Sequence, residues 1–150
     1  MGSTCHAVNI HYIFSTRDRE PLITHDLEPR VWSFIGGILR NNKMRALAIG
    51  GTADHIHMLA VLPTTMSVSK GIQLVKGGSS KWINDTFVHL RGFRWQEGYA
   101  AFSVGVSQVP KTIAYIGTQE EHHGRKSFKE EFLAFLEKHR IDYDERYIWR

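Results

Sequence analysis

Apolar and polar positions alternate with a period of two along residues 5–14. Val8, Ile10 and Tyr12 share one face and His11 and Ile13 the other, which predicts a strand. Residues 15–25 are polar, contain Pro21 and read as a loop. Beyond it Leu27, Val31, Phe34, Ile35, Ile38 and Leu39 recur at helical spacing, with Thr24 or Asp26 as a cap and Pro29 in the first turn. Gly36 and Gly37 each cost that helix about 1 kcal/mol relative to alanine, and close approach of another backbone is a reason to keep them. Residues 46–50 and 56–62 read as two strands, with Gly50-Gly51 and Asp54 as turn material and Pro63 ending the pair. A second helix is predicted over 67–87, striped by Val68, Ile72, Val75, Trp82 and Ile83, with Gly77-Gly78 as a candidate break. A loop rich in glycine, arginine and tryptophan covers 90–99, and residues 100–106 form a fourth strand. Ser107 opens a polar turn, Pro110 sits in the first turn of a helix reaching about residue 122, and a last helix spans 127–138. The tail, 141–150, is aromatic and charged and has no period to assign.

The order β-α-β-β-α-β followed by two helices matches the split βαβ, or ferredoxin-like, arrangement. It predicts an α+β fold whose antiparallel sheet carries the first two helices on one face. The other face is left for a partner or for the last two helices. A length of 150 residues fits a single domain spanning 1–150.

Composition narrows the class. With 42% hydrophobic and 23% charged residues the chain is ordinary globular material, so wholesale disorder is excluded. One cysteine, Cys5, excludes an internal disulfide framework and any multi-cysteine zinc site, and a reducing compartment is the simplest setting. No run approaches 18 apolar residues and the N-terminus lacks an apolar signal core, so the expectation is a cytoplasmic protein with no membrane partner. The net charge of +4 is compatible with a polyanionic partner. Its distribution says more: residues 1–65 sum to +1, 66–96 to +4 and 97–150 to −1. The basic middle holds Lys70, Lys76, Lys81, Arg91 and Arg94 among Trp82, Phe87, Phe93 and Trp95. Cations beside aromatics suit a nucleic-acid backbone and its bases, although a solvated helix face over core aromatics gives the same pattern.

Two clusters carry chemistry. In Asp54-His55-Ile56-His57-Met58, a strand puts His55 and His57 on one side and Ile56 on the other. Imidazoles about 7 Å apart along a strand face can converge on a metal, or can simply be hydrogen-bonded surface residues. The second cluster runs from Lys111 to His123. On a helix, Tyr115 and Gln119 lie one turn apart with Lys111 and His122 on their side, while Val109, Ile113 and Ile116 form an apolar side. The bland alternative is a solvated helix with a surface tyrosine. His122 and His123 are candidate ligands, or capping and packing residues near the helix end.

Together these clusters point to phosphodiester chemistry. A tyrosine can attack a phosphate and keep the ester bond, so a strand is cut and later joined with no nucleotide cofactor. A phenol of pKa about 10 is mostly protonated at neutral pH, so a nearby divalent metal helps by neutralising the phosphate oxygens. Two histidines are too few ligands. An oxygen such as the Gln119 carbonyl would complete a mixed site suited to Mg²⁺ or Mn²⁺, with Zn²⁺ also favoured by affinity.

Asp54-His55-Ile56-His57 resembles the His-hydrophobic-His metal motif of HUH nucleases, and Tyr115-x-x-x-Gln119-x-x-His122-His123 resembles the tyrosine helix of insertion-sequence-200/605-type single-tyrosine transposases. Ser79-Ser80-Lys81-Trp82-Ile83-Asn84, Phe93 through Tyr99, and Phe102-Ser103-Val104 match the same family in order, so the resemblance covers nearly the whole chain. It implies a homodimeric, metal-dependent transposase acting on single-stranded DNA with hairpins at the ends of a mobile element. Cleavage would proceed through a 5′-phosphotyrosine at Tyr115, with His55, His57 and Gln119 as metal ligands and 107–110 as a hinge for the tyrosine helix. Active sites in the family can combine residues of two subunits. Gly117-Thr118 departs from the pair usual before the glutamine, at positions with no assigned role. A domesticated relative that only binds hairpin DNA or RNA is the alternative, and a hydrolase acting through water is a third reading. Tyr99, in a loop without an amide partner, is the rival nucleophile and reads as packing or base stacking.

Overall fold

A computed structural model of the chain describes residues 2–119 and 126–150. His122 and His123 lie outside the described residues. The elements are β1 (Asn9–Ser15), α1 (Glu28–Asn41), β2 (Arg45–Gly51), β3 (His55–Val61), α2 (Val68–Thr86), β4 (Ala100–Ser103), α3 (Val109–Gly117) and α4 (Phe128–Lys138). The strands form one sheet in the order β2-β3-β1-β4, with every neighbouring pair antiparallel. This is the ferredoxin-like arrangement predicted from the element order.

Strand parity separates the molecule into two cores. Ile10, Tyr12 and Phe14 of β1 join Ile56, Met58 and Ala60 of β3 on one face. Against that face lie Val31, Ile35 and Leu39 of α1 and Ile72, Val75 and Ile83 of α2. On the other face Ile13, Ala100 and Phe102 meet Phe128, Phe132 and Leu136 of α4, with Ile148 and Trp149 of the tail packed alongside. The tail that had no period is thus held by packing, and the Arg150 carbonyl accepts from Gly98 N at 2.8 Å. Among the described residues no helix is long and apolar enough to cross a membrane.

Local details differ from the periodicity. Neither Thr24 nor Asp26 caps α1; their side chains bond each other at 2.6 Å, and the Thr24 carbonyl instead receives Leu27 N and Glu28 N. Ser67 does cap α2, accepting from Lys70 N at 3.0 Å. That helix runs unbroken through Gly77-Gly78. Among the described residues no backbone comes close to Gly36 or Gly37; the tight contact between α1 and α2 is at Gly78, where an added Cβ would lie 2.9 Å from the side-chain end Cδ1 of Ile38. β4 stops at Ser103, short of residue 106, because the chain turns into a 3-10 segment at Val106–Gln108 that leads into α3. Helix α3 ends at Gly117, with Thr118 as its C-cap.

Candidate active site

His55 and His57 stand two residues apart on β3, so both project onto the α4 side of the sheet, and both are 0% exposed. Each ring is fixed through Nδ1. His55 Nδ1 lies 2.8 Å from Asp54 Oδ1 and 3.0 Å from Thr52 Oγ1. His57 Nδ1 lies 2.8 Å from His11 Nε2 on the neighbouring strand. Burial, with His57 next in effect, lowers the His11 pKa from 6.5 to about 3. In the tautomer in which His11 Nε2 accepts, His57 carries its proton on Nδ1 and directs its Nε2 lone pair outward, the form that can ligate a metal.

Those outward nitrogens face oxygens. His55 Nε2 is 3.1 Å from Gln119 Oε1, and His57 Nε2 is 2.8 Å from Glu131 Oε1. The same Glu131 oxygen is 3.8 Å from His55 Nε2. Each nitrogen–oxygen pair is bridged by a proton when the ring nitrogen carries one and can be bridged by a cation when it does not, and here two such pairs converge. Donor atoms of His55, His57 and Glu131 all lie within 4.8 Å of one another and can hold a metal ion. Ligands about 2.0–2.3 Å from a shared ion stand about 3–4 Å apart, so the set fits with shifts of tenths of an ångström. Two imidazoles, a carboxylate and an amide oxygen suit Mg²⁺ or Mn²⁺, and Zn²⁺ by affinity.

Tyr115 reaches the same point from α3. Its hydroxyl donates to Glu131 Oε2, and its ring lies 5.6 Å from that of His57. Burial first, then the Glu131 carboxylate, raises the phenol pKa above its ordinary value. The helix is seated by a missing side chain: a Cβ on Gly50 of β2 would sit 2.5 Å from the Ile116 carbonyl. Only glycine lets the α3 backbone come so close, and Ile116 is buried in the seam.

Four sequence candidates therefore come together within one chain: His55, His57, Gln119 and Tyr115. The basic candidates do not join them. Helix α2, with Lys70, Lys76 and Lys81, lies on the opposite sheet face. Lys70, Arg91 and Arg94 are exposed, and Lys81 pairs with Asp85 at 2.8 Å. Lys76 turns inward and donates to the carbonyls of Gln96, Glu97 and Gly98 at 2.7, 3.2 and 2.6 Å. Burial lowers its pKa to about 8. Tyr99, the rival nucleophile, packs 6.2 Å from the Tyr12 ring, on the face away from the histidines.

Two residues escaped the sequence reading. Glu131 is 3% exposed and interrupts the apolar face of α4 between Phe128 and Phe132. A lone acid on an apolar stripe was the available signal. His11 shares the strand face of Ile13, but its pairing with His57 depends on the register of β1 against β3.

The chain matches the family model described as Transposase IS200 like over residues 4–119. It is 31% identical over 116 residues to the transposase for insertion sequence element IS200 of Salmonella typhimurium, covering 74% of this chain and 76% of that protein. The Salmonella typhi transposase for the same element matches with the same figures. Among solved structures, a putative transposase from Deinococcus radiodurans aligns with a TM-score of 0.66 and 18% identity, over 79% of this chain and 95% of that one. A REP-associated tyrosine transposase bound to a REP hairpin aligns with a TM-score of 0.60 and 16% identity, over 83% and 75%. At these identities the structural likeness is one of fold.

Proposed function

The chain belongs to the IS200-like transposase family, and from that membership we propose that it cleaves and rejoins single-stranded DNA at hairpin-marked element ends, with Tyr115 as nucleophile. One observation carries the reading: Glu131 accepts from the Tyr115 hydroxyl through Oε2 while its Oε1 stands 2.8 Å from His57 Nε2. A phenol and a group that could bind a cation thus meet on a single carboxylate, an arrangement that suits attack on a phosphodiester.

In the cleavage step the Tyr115 oxygen bonds to phosphorus as the bond to the 3′ oxygen breaks. The phenol holds its proton at neutral pH, and that proton passes to Glu131 Oε2, which already accepts its hydrogen bond. The 3′ oxygen leaves as a hydroxyl after taking a proton from water. The ester survives as 5′-phosphotyrosine, so another 3′-hydroxyl reverses the step and joins the strands. His55, His57, Gln119 and Glu131 would hold Mg²⁺ or Mn²⁺, which when bound neutralises the phosphate oxygens. His11 and Asp54 orient the two imidazoles through Nδ1.

The hairpin carried by one fold neighbour supports hairpin DNA as the partner. Exposed Lys70, Lys81, Arg91 and Arg94 are assigned to phosphates, and Lys76 to shaping the loop beside them. A homodimer belongs to the same proposal on the family resemblance. Because Tyr115 and the histidines meet within one chain, each subunit would supply a whole site.

Labelled hairpin-bearing single strands with Mg²⁺ should give a protein–DNA adduct that survives denaturation. Tyr115→Phe should lose the adduct and keep binding. Cleavage without an adduct would mean a hydrolase, and binding without cleavage a hairpin-binding relative.

A further inference from the structure

Beside the Tyr115–Glu131 contact lies a cavity of about 750 Å³, which falls within the range of small-molecule sites. Beyond Tyr115, Glu131 and His11, the residues of its walls have no part in the proposed chemistry. Phe102 of β4 and Phe135 of α4 line it with their rings 5.6 Å apart and 20° from parallel, and His139 stacks on Phe102 at 4.2 Å and 24°. These near-parallel planes make a wall on which a further flat ring can stack. Around the cavity stand Lys111, Lys126 and Lys138, all exposed. Among the described residues its one acidic lining residue is Glu131, at the Tyr115 end and already engaged by Tyr115 and His57.

We propose that this cavity is the subsite for the nucleotide adjoining the phosphate that Tyr115 attacks. Its base stacks on the Phe102, Phe135 and His139 wall, and the flanking phosphates lie against Lys111, Lys126 and Lys138. An aromatic wall with a cationic rim is the chemistry that holds single-stranded nucleic acid. The reactive phenol at one end sets which nucleotide enters. The inference rests on Tyr115 being the nucleophile, and it assigns DNA contacts to the face opposite the basic segment 66–96.

The test measures binding in the Tyr115→Phe protein, so that adduct chemistry, assayed separately on the unaltered chain, stands or falls alone. A 2-aminopurine base is walked along a hairpin-bearing single strand. Stacking in the cavity should quench it at one position beside the cleavage point. Phe135→Leu keeps an apolar filling without a ring face, so it should abolish that quenching and weaken binding by about 5- to 150-fold. Lys138→Ala, an exposed change that cannot unfold the core, should reduce the salt dependence of binding by about one phosphate contact. The proposal is overturned if no position is quenched, or if both variants bind with unchanged affinity and salt slope. It is equally overturned if they lose self-association while quenching persists, because the cavity would then be an interface between copies. An adduct formed at Tyr115 with no quenched position would sink the subsite alone. Quenching with no adduct would sink the nucleophile and leave a DNA-binding cavity.

Discussion

Replacing Glu131 with glutamine keeps the volume of the side chain and removes its charge. The consequence follows from the two contacts it makes. Oε2 accepts from the Tyr115 hydroxyl, and Oε1 lies 2.8 Å from His57 Nε2. A glutamine has one oxygen and one NH₂ group. With the oxygen toward Tyr115, the NH₂ points at the position a cation would take. With the oxygen toward His57, the phenol faces a donor and loses its acceptor. Either orientation forfeits one role, and hydrogen bonds to charged groups are each worth about 1.5–3 kcal/mol. Loss of a supporting group at a metal site weakens affinity by about 10–100-fold. Loss of a positioned proton acceptor slows a step by about 10²–10⁴-fold. Calorimetric titration with Mn²⁺ should therefore show at least tenfold weaker binding in Glu131→Gln. Adduct formation on hairpin DNA, read on denaturing gels, should fall by at least a hundredfold. The metal-free thermal midpoint should fall by several degrees, since one buried charge-assisted hydrogen bond is lost while the shape is kept. Mn²⁺ affinity within twofold of the unaltered chain would refute the ligand role, and an unchanged adduct rate would refute the acceptor role.

Gly50→Ala would drive a methyl into the Ile116 carbonyl and push α3 off β2, an overpacking cost of about 1–3 kcal/mol; the far-ultraviolet spectrum should persist while adduct yield collapses. Phe132→Ala opens the second core and should cost about 3–5 kcal/mol in a denaturant titration, because Phe132 is buried against the sheet. Mn²⁺ should raise the thermal midpoint of the unaltered chain, and chelator should reverse the shift; in His57→Ala the shift should shrink or vanish, since binding to the native state alone is what stabilises. Burial lowers the Lys76 pKa from 10.5 to about 8, so between those pH values the unfolded chain holds a proton that the folded chain has released. Stability from this group therefore rises across that window and is flat below it. The midpoint should gain more from pH 7.5 to 9.5 in the unaltered chain than in Lys76→Met.

What could be read from the sequence was what is local. Period-two alternation located β1 and β3, and with it came the shared direction of His55 and His57. Helical spacing put Tyr115 and Gln119 on one side of α3 and its continuation, where both now reach the histidines. Order and type of elements were enough for the sheet topology, since few connections satisfy them. What escaped depends on pairing across distance. His11 touches His57 only because β1 pairs with β3 in one register. Glu131 comes into the site only because α4 covers that sheet face through Phe128, Phe132 and Leu136. Nothing within α4 says which face of which sheet it will cover. The end of β4 and the cap of α1 were misplaced because a turn and a backbone hydrogen bond replaced the side-chain signals expected there.

The alternation along β3 ties chemistry to folding more tightly than either role needs alone. His55 and His57 hold the odd positions, while Ile56, Met58 and Ala60 fill the first core from the even ones. Deleting or inserting one residue inside this strand exchanges the two sets, burying imidazoles among aliphatics and turning oily side chains onto the reactive centre. Within these seven residues a change of length by one costs both sets of contacts at once. With His55 and His57 in the roles proposed for them, such a lesion would take away the candidate site and the native packing together.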